Sequence, residues 1–180
     1  MELIMTMTLD GSASVTINSG AILGITSGTA VATTSGTSID FTSIPSWVKR
    51  ITVLLSGVST SGTSLVQVQI GSGSITTTSY SSFSSTTDNA SVGSSTSTTG
   101  LLIDAGGAAA YVRSGVITIA NISSNLWVYS SLQGVAGASN RTHYSGGTSP
   151  TLSGALDRVR ITTVNGTDTF DAGTINILYE

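Results

Sequence analysis

Residue types that commonly do chemistry are sparse in this chain, so each can be weighed singly. His143 is the only histidine among 180 residues. A Ser-His-Asp relay needs just one imidazole, to accept the proton of an attacking hydroxyl while a carboxylate orients the ring. No G-x-S-x-G turn accompanies it, and about a third of the residues are Ser or Thr, so a serine near a histidine carries little information. With no cysteine and no second histidine, the usual zinc ligands are missing. Asp168 and Asp171 lie in "TVNGTDTFDAGT", where oxygen ligands for calcium are conceivable. The EF-hand spacing is not there, and aspartates in turns normally bond nearby backbone. "GSGS" at Gly71–Ser74 opens no helical pattern and so is no phosphate loop. The reading is a non-enzymatic protein that uses no metal or other cofactor.

One short segment concentrates recognition chemistry. "SNRTHY", Ser139–Tyr144, falls in a long polar stretch over 134–154. Its Asn140, Arg141, His143 and Tyr144 are types that hydrogen-bond and stack on sugars or contact proteins, and they are expected on a ligand-contacting loop.

The elements that must position these residues are strands. Only 8% of residues are charged, net charge is -3, and Val, Ile and Thr abound. β-Branched residues fit a pleated sheet. Six basic residues without a cluster exclude nucleic acid as the natural partner. "MELIMTMTLDG" has neither a basic leader nor a long apolar run, so neither a signal peptide nor membrane insertion is expected. Apolar runs predict strands near 29–34, 38–42, 47–56, 64–71, 75–80, 100–104, 108–113, 115–120, 125–132, 156–164 and 173–179. The loop "SGVSTSGTS" is read as joining 47–56 to 64–71 in a hairpin, and 81–100 as a long low-complexity loop. "TVNGTDTFDAGT" is either a tight Asn165-Gly166 hairpin turn or part of one longer loop. No helical periodicity extends past two turns. The fold class expected is all-β, an antiparallel, jelly-roll-like β-sandwich over 29–180, preceded by a short extended arm or stem over 1–28.

Strand alternation adds a partner. Ile51, Val53 and Leu55 share one face, with Leu54 on the other. Leu126 and Val128 oppose Trp127 and Tyr129, and Ile175 and Ile177 oppose Leu178. A monomeric sandwich buries one face and wets the other. Leu54, Trp127, Tyr129 and Leu178 are therefore expected on a second face covered by another copy of the chain.

"TSIDFTSIPSWVKRITVLLSGVSTSGTS", Thr37–Ser64, resembles a recurrent sequence of tail-fibre-type structural proteins of tailed bacteriophages. There, "DFTGIP-x-W-(V/A)-KRI" leads into an apolar strand and an "SGVST-x-G" loop. "DRVRITTVNGTDTFDAGTINILYE", Asp157–Glu180, is similar to that family's C-terminus, and the strand around Trp127 matches more loosely. The start "MTLDGSASVTI" is similar to that of small phage fibre proteins. The resemblance covers most of 29–180. It implies a virion protein without catalytic role, a homotrimer of β-sandwiches, assembled in the host cytoplasm, where a protein needs neither disulfides nor a leader. It also implies other virion proteins of tail or capsid as partners. Leu3, Ile4, Met5, Leu9, Val15 and Ile17 would then dock the 1–28 segment to the particle. The head domain would meet host-surface polysaccharide as a tail or head fibre, or else cement the capsid as a decoration protein.

Overall fold

The computed structural model describes residues 15–17, 20–22, 24–88, 92–137 and 140–180. The proposed docking residues Leu3, Ile4, Met5 and Leu9 lie outside them. Val15 and Ile17 belong to a short strand, β1 (Val15–Ile17), paired antiparallel with β2 (Gly20–Ile22) in a ladder of their own.

The remaining strands are β3 (Thr26–Ser27), β4 (Val31–Ala32), β5 (Ser38–Thr42), β6 (Arg50–Thr60), β7 (Val66–Ser72), β8 (Ser74–Ile75), β9 (Ser81–Thr87), β10 (Val92–Ser97), β11 (Leu101–Leu102), β12 (Val112–Ser123), β13 (Leu126–Ala136), β14 (Arg141–Thr148), β15 (Arg158–Thr163) and β16 (Phe170–Tyr179). They form two antiparallel sheets packed as a β-sandwich. The large sheet runs β10-β9-β14-β13-β12-β6-β16-β3, with β4 also on β16; the small one runs β11-β7-β15-β5, with β8 on β7. No helix occurs among the described residues. Because β3 pairs with β16, the sandwich already includes Thr26, just before the expected boundary at 28.

The alternation read from the sequence builds the core. Ile39 and Phe41 of β5, Val66, Val68 and Ile70 of β7, and Val159 and Ile161 of β15 turn inward from the small sheet. They meet Ile51, Val53 and Leu55 of β6, Ile117 and Ile119 of β12, and Ile175 and Ile177 of β16. Each such side chain contributes about 1.5–3 kcal/mol when fully buried.

The topology departs from the sequence reading at the connections. β6 pairs with β12 and β16, and β7 with β8, β11 and β15, so the expected hairpin between them does not form. The "SGVSTSGTS" segment instead carries the chain from one sheet to the other. "TVNGTDTF" does the same between β15 and β16, so the tight hairpin does not form, and the loop stops short of Gly173 because β16 begins at Phe170. Asn165 Oδ1 accepts from Thr167 N and Asp168 N, and Asp168 Oδ2 accepts from Ser64 N at 2.9 Å. A bulge interrupts the β6–β16 pairing. Gly57 (φ 66) and Gly173 (φ 99) face each other where the β6–β16 register shifts. A Cβ on Gly173 would run into the Gly57 carbonyl, so this kink needs glycine.

The segment 81–100, expected as a loop, contains the β9–β10 hairpin. Its inward side chains are Ser82, Ser84 and Thr86, which an apolar pattern does not reveal. Hydroxyls take the place of hydrocarbon there: Ser82 Oγ lies 2.6 Å from Tyr129 Oη and accepts from Leu102 N at 2.7 Å.

Candidate functional site

The segment expected to be a recognition loop is mostly strand. Arg141, His143 and Tyr144 lie in β14, so successive side chains leave on opposite faces and cannot converge on one ligand. His143 points inward and is wholly buried, whereas Tyr144 stands on the outer face, 43% exposed. Arg141 turns to the side of His143, its guanidinium 4.7 Å from the centre of the Tyr111 ring and 3.4 Å from Asp88. Asn140 is exposed at the strand's start, beside Arg141 and Asp88 in a shallow depression. The predicted four-residue site is thus divided between the interior, the rim and the outer face.

Inside the sandwich, His143 belongs to a polar cluster. Asp104 and Arg113 are completely buried. Arg113 Nε donates to Asp104 Oδ1 and Oδ2 at 3.0 and 2.9 Å, and Arg113 Nη1 donates to Tyr111 O at 3.2 Å. Val66 N donates to Asp104 Oδ2 at 3.0 Å. His143 Nδ1 lies 3.2 Å from Asp104 Oδ1, and 3.4 Å from Ala105 N. It cannot donate to the first and accept from the second at once; the shorter, charge-assisted contact to Asp104 is the stronger. Burial alone would raise the Asp104 pKa, but the Arg113 charge and the donors from His143, Arg113 and Val66 bring it below its ordinary value. An Asp–His pair is two-thirds of a hydrolytic relay. Here His143 Nε2 has no hydrogen-bond partner among the described residues, and neither side chain reaches solvent, so no substrate carbonyl can approach. The arrangement acts as a tie: Asp104, following β11, holds β7 of the small sheet to β12 and β14 of the large one. Sequence reasoning missed this pair. The available signal was Arg113 itself, a charge in strand phase with the core residues Ile117 and Ile119.

The outer face of the large sheet is the second feature. Directly paired residues share a face, and the pairings Asn176↔Leu54, Leu54↔Val116, Val116↔Leu132 and Leu132↔Tyr144 set Leu54, Val116, Leu132 and Tyr144 in one cross-strand row. Leu178 and Val128 flank it, and Phe83 and Val92 extend the same face over β9 and β10. Leu132 is 63%, Phe83 60% and Val92 76% exposed. The other positions on this face are Ser, Thr, Gly, Ala and Asn, together with Val112 and Leu126. Arg113 and Arg141 turn to the other side, and the exposed charges on the paired strands are Arg50, at a corner and ion-paired with Glu180, and Asp171, near the start of β16 and hydrogen-bonded to Ser59. Two of the four expected interface residues, Leu54 and Leu178, do lie here, half-buried.

Trp127 and Tyr129 do not. They pair with Asn121 and Ile119, and Ile119 pairs with Ile51, which puts both rings on the core face. They are 3% and 2% exposed and correct the expectation that they lie at a subunit interface. Alternation had separated Trp127 from Val128 properly; register decides that Val128 is the outward one.

No family model, no curated protein and no solved structure matches this chain.

Proposed function

We propose that the chain is a non-enzymatic, fibre-type structural protein of a tailed-phage virion, working as a homotrimer of jelly-roll-like sandwiches. The observation that carries self-assembly is the row Leu54–Val116–Leu132–Tyr144 on a sheet face almost free of charge. A face this apolar is costly to leave wet, and an uncharged face can meet a copy of itself without repulsion. The opposite sheet is built differently. Its outer strand positions carry the Arg160–Asp40 pair, with Arg158–Asp157 beside it, as suits a surface kept in water. The virion role rests on the likeness of Thr37–Ser64 and Asp157–Glu180 to phage fibre proteins, and the 1–28 segment is assigned to docking on the particle. The test is protein mass spectrometry of purified particles of the phage that encodes the chain. The chain should be present in copy numbers divisible by three. Its absence from particles, with abundance only in the infected cell, would overturn the virion assignment.

A further inference from the structure

The outer face of the small sheet holds a groove of about 310 Å³ whose walls include Gln67, Gln69, Thr99, Arg160 and Asn165. Val164 is the one large apolar side chain on it. Gln67 and Gln69 are two apart on β7 and share this face, about 6–7 Å apart along the strand. Although they face outward, they are only 2% and 6% exposed, because the turn ending in Gly100 folds over them. A Cβ at Gly100 would come within 2.6 Å of Gln67 Oε1, so glycine lets the turn sit this close.

The turn also fixes both amides. Gln69 Nε2 donates to Thr99 O at 2.8 Å, and Thr99 Oγ1 donates to Gln67 Oε1 at 3.1 Å. Each amide is thereby left with one uncommitted end: Gln67 Nε2, a donor, and Gln69 Oε1, an acceptor. Beside Gln69, its cross-strand partner Arg160 uses Nε and Nη2 on Asp40, each at 2.7 Å, which leaves Nη1 as a further donor with the charge already balanced.

We infer that this groove is a binding site for an uncharged saccharide, held by Gln67, Gln69 and Arg160. A ligand here must offer both acceptors and donors in a small volume, as neighbouring hydroxyl groups do. An anion would confront the Gln69 carbonyl and find the Arg160 charge already neutralised by Asp40. A cation would find no free carboxylate, and a wholly apolar ligand would face walls that are more polar than apolar, while the threonine methyls and Val164 can pack against the C–H face of a sugar. The pre-fixed amides also keep down the ordering cost of binding. The inference rests on the fibre-type reading, which would bring the head domain to host-surface polysaccharide, and it assigns sugar contact to the small sheet, away from Asn140–Tyr144.

The test applies the full-length protein to a printed array of neutral, sialylated and sulfated glycans, beside Q67M/Q69M and, as a rim variant whose side chain lies outside the packed interior, R160Q. Neutral glycans should bind, with about tenfold weaker binding in the double variant, as expected for losing two neutral hydrogen bonds, and a smaller loss in R160Q. Three results would each overturn the site: no neutral glycan bound, sialylated or sulfated glycans alone bound, or neutral binding that survives both variants. Light scattering on the same samples keeps this separate from assembly, since the groove variants should retain the wild-type mass whatever they do to binding.

Discussion

Arg113 Nε lies 3.0 and 2.9 Å from the two carboxylate oxygens of Asp104, and neither side chain has any contact with solvent. A charge pair so deeply placed is held by its geometry. Each partner lost its hydration on folding, and the other is the only opposite formal charge that replaces it, helped by His143 and Val66 N at Asp104 and by Tyr111 O at Arg113.

Removing one partner is therefore severe. Arg113→Met leaves Asp104 charged and buried with donors from only His143 and Val66, and should cost about 3–5 kcal/mol. Chemical denaturation followed by circular dichroism reads this directly. A loss under about 1 kcal/mol would mean that the pair contributes as little as an exposed one.

The same cluster sets the response to acid. The Asp104 pKa is lowered from 3.8 in the folded protein. Its contribution to stability is thus fully present above that value and is lost as pH falls from there toward the folded pKa. The melting temperature should hold down to about pH 5 and drop steeply below about pH 4. Asp157, whose pKa is also lowered, chiefly by its hydrogen bond with Arg158, is far more exposed, so Asp157→Asn should leave the acid limb nearly unchanged. An acid limb abolished by Asp157→Asn would place the titration at the surface.

Tyr80 governs the alkaline side. Its phenol accepts from Ile70 N at 3.0 Å and has Thr76 O and Ile70 O within donating distance at 2.9 and 3.1 Å. Burial pushes its pKa from 10.0 up to about 12. A raised pKa contributes stability below 10.0 that is lost as pH rises toward about 12. Burial raises the Tyr129 phenol as well, so ultraviolet titration should show two tyrosines ionising after the exposed ones, and Tyr80→Phe should remove one of these two late steps while costing about 1–3 kcal/mol. A single titration step at the ordinary value would contradict the buried bridge.

The strands most legible in the sequence were those with hydrocarbon on the inside. β5 falls at 38–42 as expected, and the alternation of β6 and β16 assigns Ile51, Val53, Ile175 and Ile177 to the core correctly. The pattern failed where polar side chains face inward. β9 buries Ser82, Ser84 and Thr86, and β14 buries His143, so both read as loop. It also failed where both faces carry large residues. Alternation tells Trp127 from Val128 but not which is inside; that depends on the pairing of β13 with β12, a long-range fact. The Asp104–Arg113 tie was hidden for the same reason, and the groove required the Thr99 turn to fold over β7.

The central claim is that the outer face of the large sheet joins copies of this chain. Multi-angle light scattering at micromolar concentration tests it most directly. The wild-type protein should run at three times 18.1 kDa and, because the joined face is nearly uncharged, should keep that mass as salt is raised. Leu132→Glu, on an exposed position of the row, should fall to the single-chain mass with an unchanged circular dichroism spectrum. A wild-type protein that is monomeric under these conditions, or a Leu132→Glu variant that keeps the assembled mass, would contradict the account.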